Sequence, residues 1–495
     1  MKILLVSHDF LPRHPAGTEI YTYQLGSKLK QRGHDVHVFT TEKDISRPNL
    51  SVRLRYYKEL PVHELFNNLF YNEFSETWDH PPAVRSFGLF LDDLQPDLVH
   101  FMHLLYLSVG CVEEVARRRI PVVFTLHDYW LQCARFGQRI HADGSICHTI
   151  DFERCGGCLA RFKYKQTRLE RATSKVLAGV RSLTRLDLGP VVRGLADGWR
   201  RRLPAPPAYE APAASGTDPV APAPAHDGAP APAELSSAAR HMAGEVRRRD
   251  QALRARLLPV VHRFIAPSQF LRQRFVEWGI PEDQILFNRA GIDVEPFRGF
   301  ERTRAGHVRV AYIGTLAPHK GVHVLLEAWR HLDPEVRALG ELKVYGPQAH
   351  NPGYLHRLEQ LAEGSGAVLA GGLKAEEVVQ ALRHVDLLVV PSVWYENSPL
   401  IILEALATRT PLLVSDLGGM AELVEHEKSG FHFHVGDSEH LAQGLKHLLE
   451  NPQVLEALYR DELPVKPVET DAAELEAIYD EALAAVRGAP GAAGA

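Results

Sequence analysis

Two successive runs of strand–helix alternation constrain this chain more than any other feature. Short apolar segments at 2–7 (KILLVS), 35–41 (DVHVFTT), 51–56, 97–101 (DLVHF) and 121–126 (PVVFTL) are separated by amphipathic stretches, such as Thr18–Arg32 closed by Gly33. Short apolar runs bounded by turn residues read as strands, and 3.6-residue periodicity ending in glycine reads as a helix. Strands that alternate with helices need a parallel sheet covered by those helices. The pattern restarts at HVRVAYIGTL (307–316) and continues through ELKVYGP, AVLAGGL, DLLVVPS and TPLLVSD. The sequence therefore predicts an α/β protein built from two doubly wound, Rossmann-like domains.

A length of 495 residues agrees, being too great for one ordinary core. The first domain is expected over 1–295, with a cysteine loop at 133–158 and an insertion at 203–234. That insertion, LPAPPAYEAPAASGTDPVAPAPAHDGAPAPAE, is rich in Pro and Ala and holds almost no large apolar residue, so disorder is expected there. The second domain is expected over 296–465, and a terminal helix with a disordered tail over 466–495. No apolar run reaches the roughly 18–20 residues of a membrane span. The start, MKILLVSHDF, breaks at His8-Asp9 and reads as a first strand rather than a signal peptide. A cytoplasmic protein is expected, in which five cysteines are not disulfide staples.

Two glutamates raise the functional question. Glu396 and Glu404 stand in WYENSPLIILEALATRTPLLVSD, among the most apolar parts of the chain. Burying an unpaired carboxylate costs several kcal/mol, roughly, so these side chains need partners. Ser398-Pro399 reads as a helix start, with serine as cap and proline first in the helix. Glu396 then falls in a strand-to-helix loop at the carboxyl edge of the sheet, and Glu404 inside the helix. Doubly wound sheets bind ligands at that edge, and free N–H groups at a helix start attract anions. YIGTLAPHKGVHVLLEAW (312–329) is another strand, glycine loop at Gly314 and helix, with Lys320 placed to set its ammonium beside a phosphate oxygen. A diphosphate flanked by hydroxyl-bearing rings suits such a set.

These motifs resemble the retaining glycosyltransferases of family 4, a glycogen-synthase-like and mannosyltransferase-like group with the GT-B architecture. GHDVHVFT, HDYW and APSQFLRQRF carry the likeness in the first half, and most of 307–450 in the second. The paired glutamates followed by TPLLVSDLGGMAELV are its specific part. The resemblance implies two domains facing across a cleft and a nucleotide-diphosphate sugar as donor. It implies that Glu396 contacts sugar hydroxyls, Glu404 the ribose hydroxyls, and Lys320 the departing diphosphate. Backbone at Asn397, Ser398, Pro399 and Leu400 would bind phosphate or sugar, His127 would face the sugar, and Gly17 would belong to the loop over donor and acceptor. Two positions depart from the pattern: Thr315 stands where arginine is common, with Arg289 a candidate substitute, and Ala16 stands where a glycine is common. No Asp-x-Asp motif stands out, so metal-independent transfer is expected, to a glycan or lipid-linked acceptor in envelope polysaccharide or glycolipid synthesis.

Cys133, Cys147, Cys155 and Cys158 close with a Cys-x-x-Cys pair and could hold a structural zinc, although reduced thiols, a redox pair or an iron–sulfur cluster fit the spacing too. Basic segments at 161–202 and 236–258 suit either solvent or peripheral attachment to anionic lipid. Two other classes stay open: a nucleotide-sugar epimerase of the same fold, and a zinc-dependent nucleic-acid-binding module. The net charge of −5 argues against nucleic acid as a partner.

Overall fold

The computed structural model describes residues 1–45, 47–160, 162–167, 171–173, 175–176, 179–180, 235–303, 305–347, 351–458 and 465–488. The expected insertion at 203–234 and most of the basic segment 161–202 lie outside them. In the first domain the strands are β1 (Lys2–Val6), β2 (Asp35–Glu42), β3 (Val52–Tyr57), β4 (Leu60–Phe66), β5 (Leu98–Phe101), β6 (Val122–Thr125), β7 (Arg263–Ala266) and β8 (Ile285–Phe287). They form one sheet in the order β3-β4-β2-β1-β5-β6-β7-β8. Helices α1 (Gly17–Gln31), α2 (Pro81–Leu94), α3 (Val109–Arg117), α4 (Phe152–Leu159), α5 (Ser237–Leu257) and α6 (Gln269–Trp278) accompany it.

The second domain orders its strands β11-β10-β9-β12-β13-β14, all parallel. These are β9 (Val308–Ile313), β10 (Gly340–Tyr345), β11 (Val368–Gly371), β12 (Leu387–Val390), β13 (Leu412–Ser415) and β14 (Gly430–Phe433). Its helices are α7 (Val322–His331), α8 (Pro334–Arg337), α9 (Pro352–Ala362), α10 (Ala375–Leu382), α11 (Leu400–Ala407), α12 (Gly418–Leu423), α13 (Ser438–Glu450) and α14 (Pro452–Leu458). Every residue of β9 and of β12 is buried, as strands covered on both faces require. Strand order reverses at β1 in one sheet and at β9 in the other, and both reversals open on the cleft described below.

Two features depart from the sequence reading. Strand β4 was not expected, and it pairs antiparallel with β3. The link from Tyr57 to Leu60 is too short for a parallel crossover and permits only a hairpin. The terminal helix α15 (Val468–Gly488) does not stand apart: it returns to the first domain and packs along α1. Buried Tyr479 meets His100 Nδ1 at 2.7 Å, and Arg32 pairs with Glu476 at 2.6 Å.

Candidate active site

The second-domain half begins where β9 ends. After Gly314 a single turn, Pro318–Lys320, leads into Gly321, whose φ is +69°. A Cβ at Gly321 would lie 1.7 Å from the carbonyl oxygen of Pro391. Only glycine lets this turn rest on the end of β12. The close approach sets Lys320 Nζ 2.6 Å from Glu396 Oε1, and Ser392 Oγ donates to the same oxygen at 2.8 Å. Burial alone would raise the Glu396 carboxyl, but the Lys320 charge, with hydrogen bonds from Lys320 and Ser392, holds it below its ordinary value.

Helix α11 starts at Leu400, with Pro399 in extended conformation as its cap. The sequence reading started this helix one residue too early, with Ser398 as cap and Pro399 as first helical residue; the fixed φ of proline suits the cap as well as the first turn. Pro399 has no N–H, so the amides able to meet an anion here are those of Asn397, Ser398 and Leu400. Glu404 lies one turn further on. Its carboxyl takes no side-chain partner among the described residues, and burial pushes it up to about 7. Asn397 Oδ1 and Ser398 Oγ are likewise buried without a partner among the described residues. Beneath them Gly419 N donates to Glu396 O at 2.8 Å, and a Cβ at Gly419 would meet Asn397 O at 1.9 Å. The glycine pair at 418–419 thus lets β13's loop press against the Glu396 loop.

The first domain supplies the opposite wall. Gly17 opens α1, and a Cβ on it would lie 4.0 Å from Leu400 Cγ across the cleft. Ala16, at the cap, offers no side-chain hydrogen bond. His127 follows β6; its carbonyl accepts from Asn397 Nδ2 at 2.8 Å, while its buried Nε2 has no partner among the described residues. Burial, then the neighbouring His103, lowers His127 to about 3, so the ring is neutral. Tyr21 meets His127 edge-on, with centroids 5.3 Å apart.

The structure thus gathers Gly17, His127, Lys320, Glu396, Asn397, Ser398, Leu400 and Glu404 around one cleft. Sequence reasoning missed Ser392, the second donor to Glu396, although a serine at the end of an apolar strand was a signal. It also missed Glu19, 1% exposed on the first turn of α1, which burial pushes up to about 7. Thr315 takes part through its carbonyl, accepting from Tyr312 Oη at 2.9 Å. Arg289 stands 3.8 Å from Glu422 and has no contact with Lys320 or Glu396 among the described residues.

Cys133, Cys147, Cys155 and Cys158 share one module beside this cleft. Burial and then the other three thiols push the Cys155 thiol up, so the four are electrostatic neighbours. Among the described residues, however, no three His, Cys, Asp or Glu side chains stand together as a ready metal site. His141 Nδ1 lies 3.4 Å from Cys158 Sγ. The basic helix α5 spends much of its charge internally: Arg254 pairs with Asp250, Arg256 with Asp79 and Glu113, and Arg249 is buried on carbonyls of Trp130 and Leu131. No helix among the described residues is long and apolar enough to cross a membrane.

Two parallel-sheet domains closing such a cleft define the GT-B architecture of glycosyltransferases. Solved structures share it: sucrose-phosphate synthase from Thermosynechococcus elongatus superposes over 98% of this chain and 99% of its own, with TM-score 0.58 and 16% identity. Anabaena HepE, crystallised with UDP and glucose, does so over 97% and 100%, with TM-score 0.59 and 15% identity. The family model for glycosyl transferases group 1 matches residues 294–461, and that for glycosyltransferase family 4 matches 15–179. The chain belongs to glycosyltransferase family 4. Among curated relatives, the sulfoquinovosyl transferase of Arabidopsis thaliana is 29% identical over 35% of this chain and 34% of its own. A putative colanic acid biosynthesis glycosyltransferase of Escherichia coli is 29% identical over 35% and 44%. The match therefore spans less than half the length of these relatives.

Proposed function

We propose that this protein is a retaining glycosyltransferase that moves a sugar from a nucleotide-diphosphate donor to a hydroxyl of a glycan or lipid-linked acceptor. One observation carries the reading: Lys320 pairs with Glu396 in the loop that opens α11, the next residue, Asn397, reaches the His127 carbonyl of the other domain, and the Glu404 carboxyl stands partnerless one turn into the same helix. A carboxylate without partner accepts two hydroxyls of a ribose, and an ammonium at a sheet edge compensates a diphosphate. UDP and UDP-glucose in the HepE structures support a nucleotide sugar as donor.

In the proposed step the bond from the anomeric carbon to the diphosphate oxygen breaks while the acceptor oxygen bonds to the same face. The acceptor proton passes to the departing phosphate oxygen, so no protein nucleophile is required. Lys320 compensates the charge that grows on the diphosphate, and the amides of Asn397, Ser398 and Leu400 add dipoles. No metal is assigned to this chemistry. The polysaccharide and lipopolysaccharide transferases among the relatives support a role in envelope glycan synthesis. The cysteine module is assigned a structural zinc, which would draw the four sulfurs together; burial pushes the Cys147 and Cys158 thiols up, and the guanidiniums of Arg139 and Arg135 oppose that rise.

A donor screen reading nucleotide diphosphate release, followed by analysis of the anomeric configuration of the product, tests the proposal. Donor consumption with retained configuration supports it. A changed sugar still attached to its nucleotide would identify an epimerase instead.

A further inference from the structure

We infer that Tyr395 fixes the donor loop by plugging the opposite domain, and that His148 of the cysteine loop latches the plug. The inference rests on the donor-site reading above. Tyr395 immediately precedes Glu396, yet its ring is only 3% exposed because the first domain encloses it. Phe270 on α6 packs at 5.1 Å between centroids, Tyr129 after β6 at 5.8 Å, and His148 at 6.0 Å. At the tip of the plug, Tyr395 Oη and His148 Nδ1 are 2.6 Å apart. At that distance the phenol O–H and the ring nitrogen share one hydrogen bond.

Both sides of this socket are fixed. Arg139, 4% exposed, donates to the carbonyls of Cys147 (3.0 Å) and His148 (2.8 Å) and to Gln132 Oε1 (2.6 Å). The helix that ends the cysteine loop, α4, lies so close to α5 that a Cβ at Gly156 would stand 2.2 Å from Ala239 O. From the second domain, the Glu422 carboxylate accepts from the free amides of Gln269 and Phe270, both at 3.0 Å, and so holds the start of α6 in place. Gly418 closes the remaining side: a Cβ there would be 3.1 Å from Glu396 O and 3.4 Å from Tyr395 Cδ1. The main chain of Glu396 is therefore anchored on the side away from Lys320 by a ring seated in the other domain. Tyr395 and His148 are positioning residues, and the cysteine loop serves catalysis as a buttress.

The test compares Tyr395→Phe, His148→Leu and the double variant with the full-length protein. Nucleotide diphosphate release is measured with UDP-glucose, GDP-mannose and ADP-glucose. Each single variant is expected to lower kcat/KM for the accepted donor about five- to tenfold, as loss of one hydrogen bond implies. The double variant is expected to be no worse than either single one, because both remove the same bond. His148→Gln, which keeps an acceptor, is expected to recover most of the loss. Hydrogen exchange over 393–400 in the free protein is expected to quicken several-fold in both single variants. Multiplying losses in the double variant, or unchanged exchange over 393–400, would overturn the latch. If the unaltered protein consumes none of the donors, the transferase reading suffers, while the exchange experiment still decides the plug.

Discussion

Replacing Lys320 with methionine should reveal how much of the site's stability rests on one ion pair. The Glu396 side chain is 8% exposed, and its partner ammonium is 2.6 Å away. Without the lysine, the carboxyl has two courses. It can stay charged and unpaired, at about 3–5 kcal/mol, or take up a proton. From an ordinary value of 4.5, protonation at pH 7 spans two and a half pH units at about 1.4 kcal/mol each, or roughly 3.4 kcal/mol. The cheaper course sets the limit, so Lys320→Met should cost about 3 kcal/mol at pH 7 and about 1 kcal/mol at pH 5. The sign follows from the intact pair: a carboxyl held below its ordinary value contributes stability above pH 4.5 and loses it as pH falls further. For the second domain, a 3 kcal/mol loss corresponds to a midpoint lower by about 6–12 °C.

Denaturant titrations at pH 5 and 7 on Lys320→Met, Glu396→Gln and the double variant form the assay. The double variant should regain stability to within about 1 kcal/mol of the intact protein, because no unpaired charge remains. Its turnover should stay low, by roughly 30- to 1000-fold, because the diphosphate has lost its cation. A double variant no more stable than Lys320→Met, or a loss for Lys320→Met that is equal at the two pH values, would refute the reasoning.

Other consequences can be measured independently. Glu404 reaches about 7 through burial alone, so nucleotide affinity should weaken up to tenfold for each pH unit below that value if the carboxylate holds the ribose; calorimetric titration with UDP from pH 5.5 to 8 reads this, and Glu404→Gln should flatten the profile. Gly321→Ala should cost more than the roughly 1–2 kcal/mol of a left-handed residue, because the new Cβ would strike Pro391 O, and its thermal midpoint should fall accordingly. Metal analysis of protein purified without chelator should find about one zinc per chain, and Cys155→Ser should lower that content. Four freely titratable thiols in metal-free, fully folded protein would remove the zinc assignment.

The sequence made most of the second-domain half legible because its chemistry sits at the punctuation of the fold. Lys320 stands beside a glycine that the chain cannot do without, and Glu396 beside a helix start, so strand ends and turn residues located both. The first-domain half was less legible. His127 is one residue past the end of an apolar run, where a histidine has several ordinary uses, and only the family likeness singled it out. Glu19 looks like any acidic residue in a first helical turn until its burial is known.

What could not be read depends on contacts between distant parts of the chain. Tyr395 follows an apolar strand and looks like one more core aromatic of its own domain; its ring enters a socket made by residues 125 to 266 positions away in sequence. The helix at 468–488 shows a similar concealment. Its periodicity predicts a helix, but the partner face is α1, at the other end of the chain. Asp471, 1% exposed, accepts from Tyr21 Oη and from Gly291 N, both at 2.9 Å, and from Lys466 Nζ at 2.7 Å. Tyr21 in turn packs on His127. The segments that cross between the domains are thus tied to the wall of the cleft through one buried carboxylate, and periodicity, which reports only local faces, carries no trace of that tie.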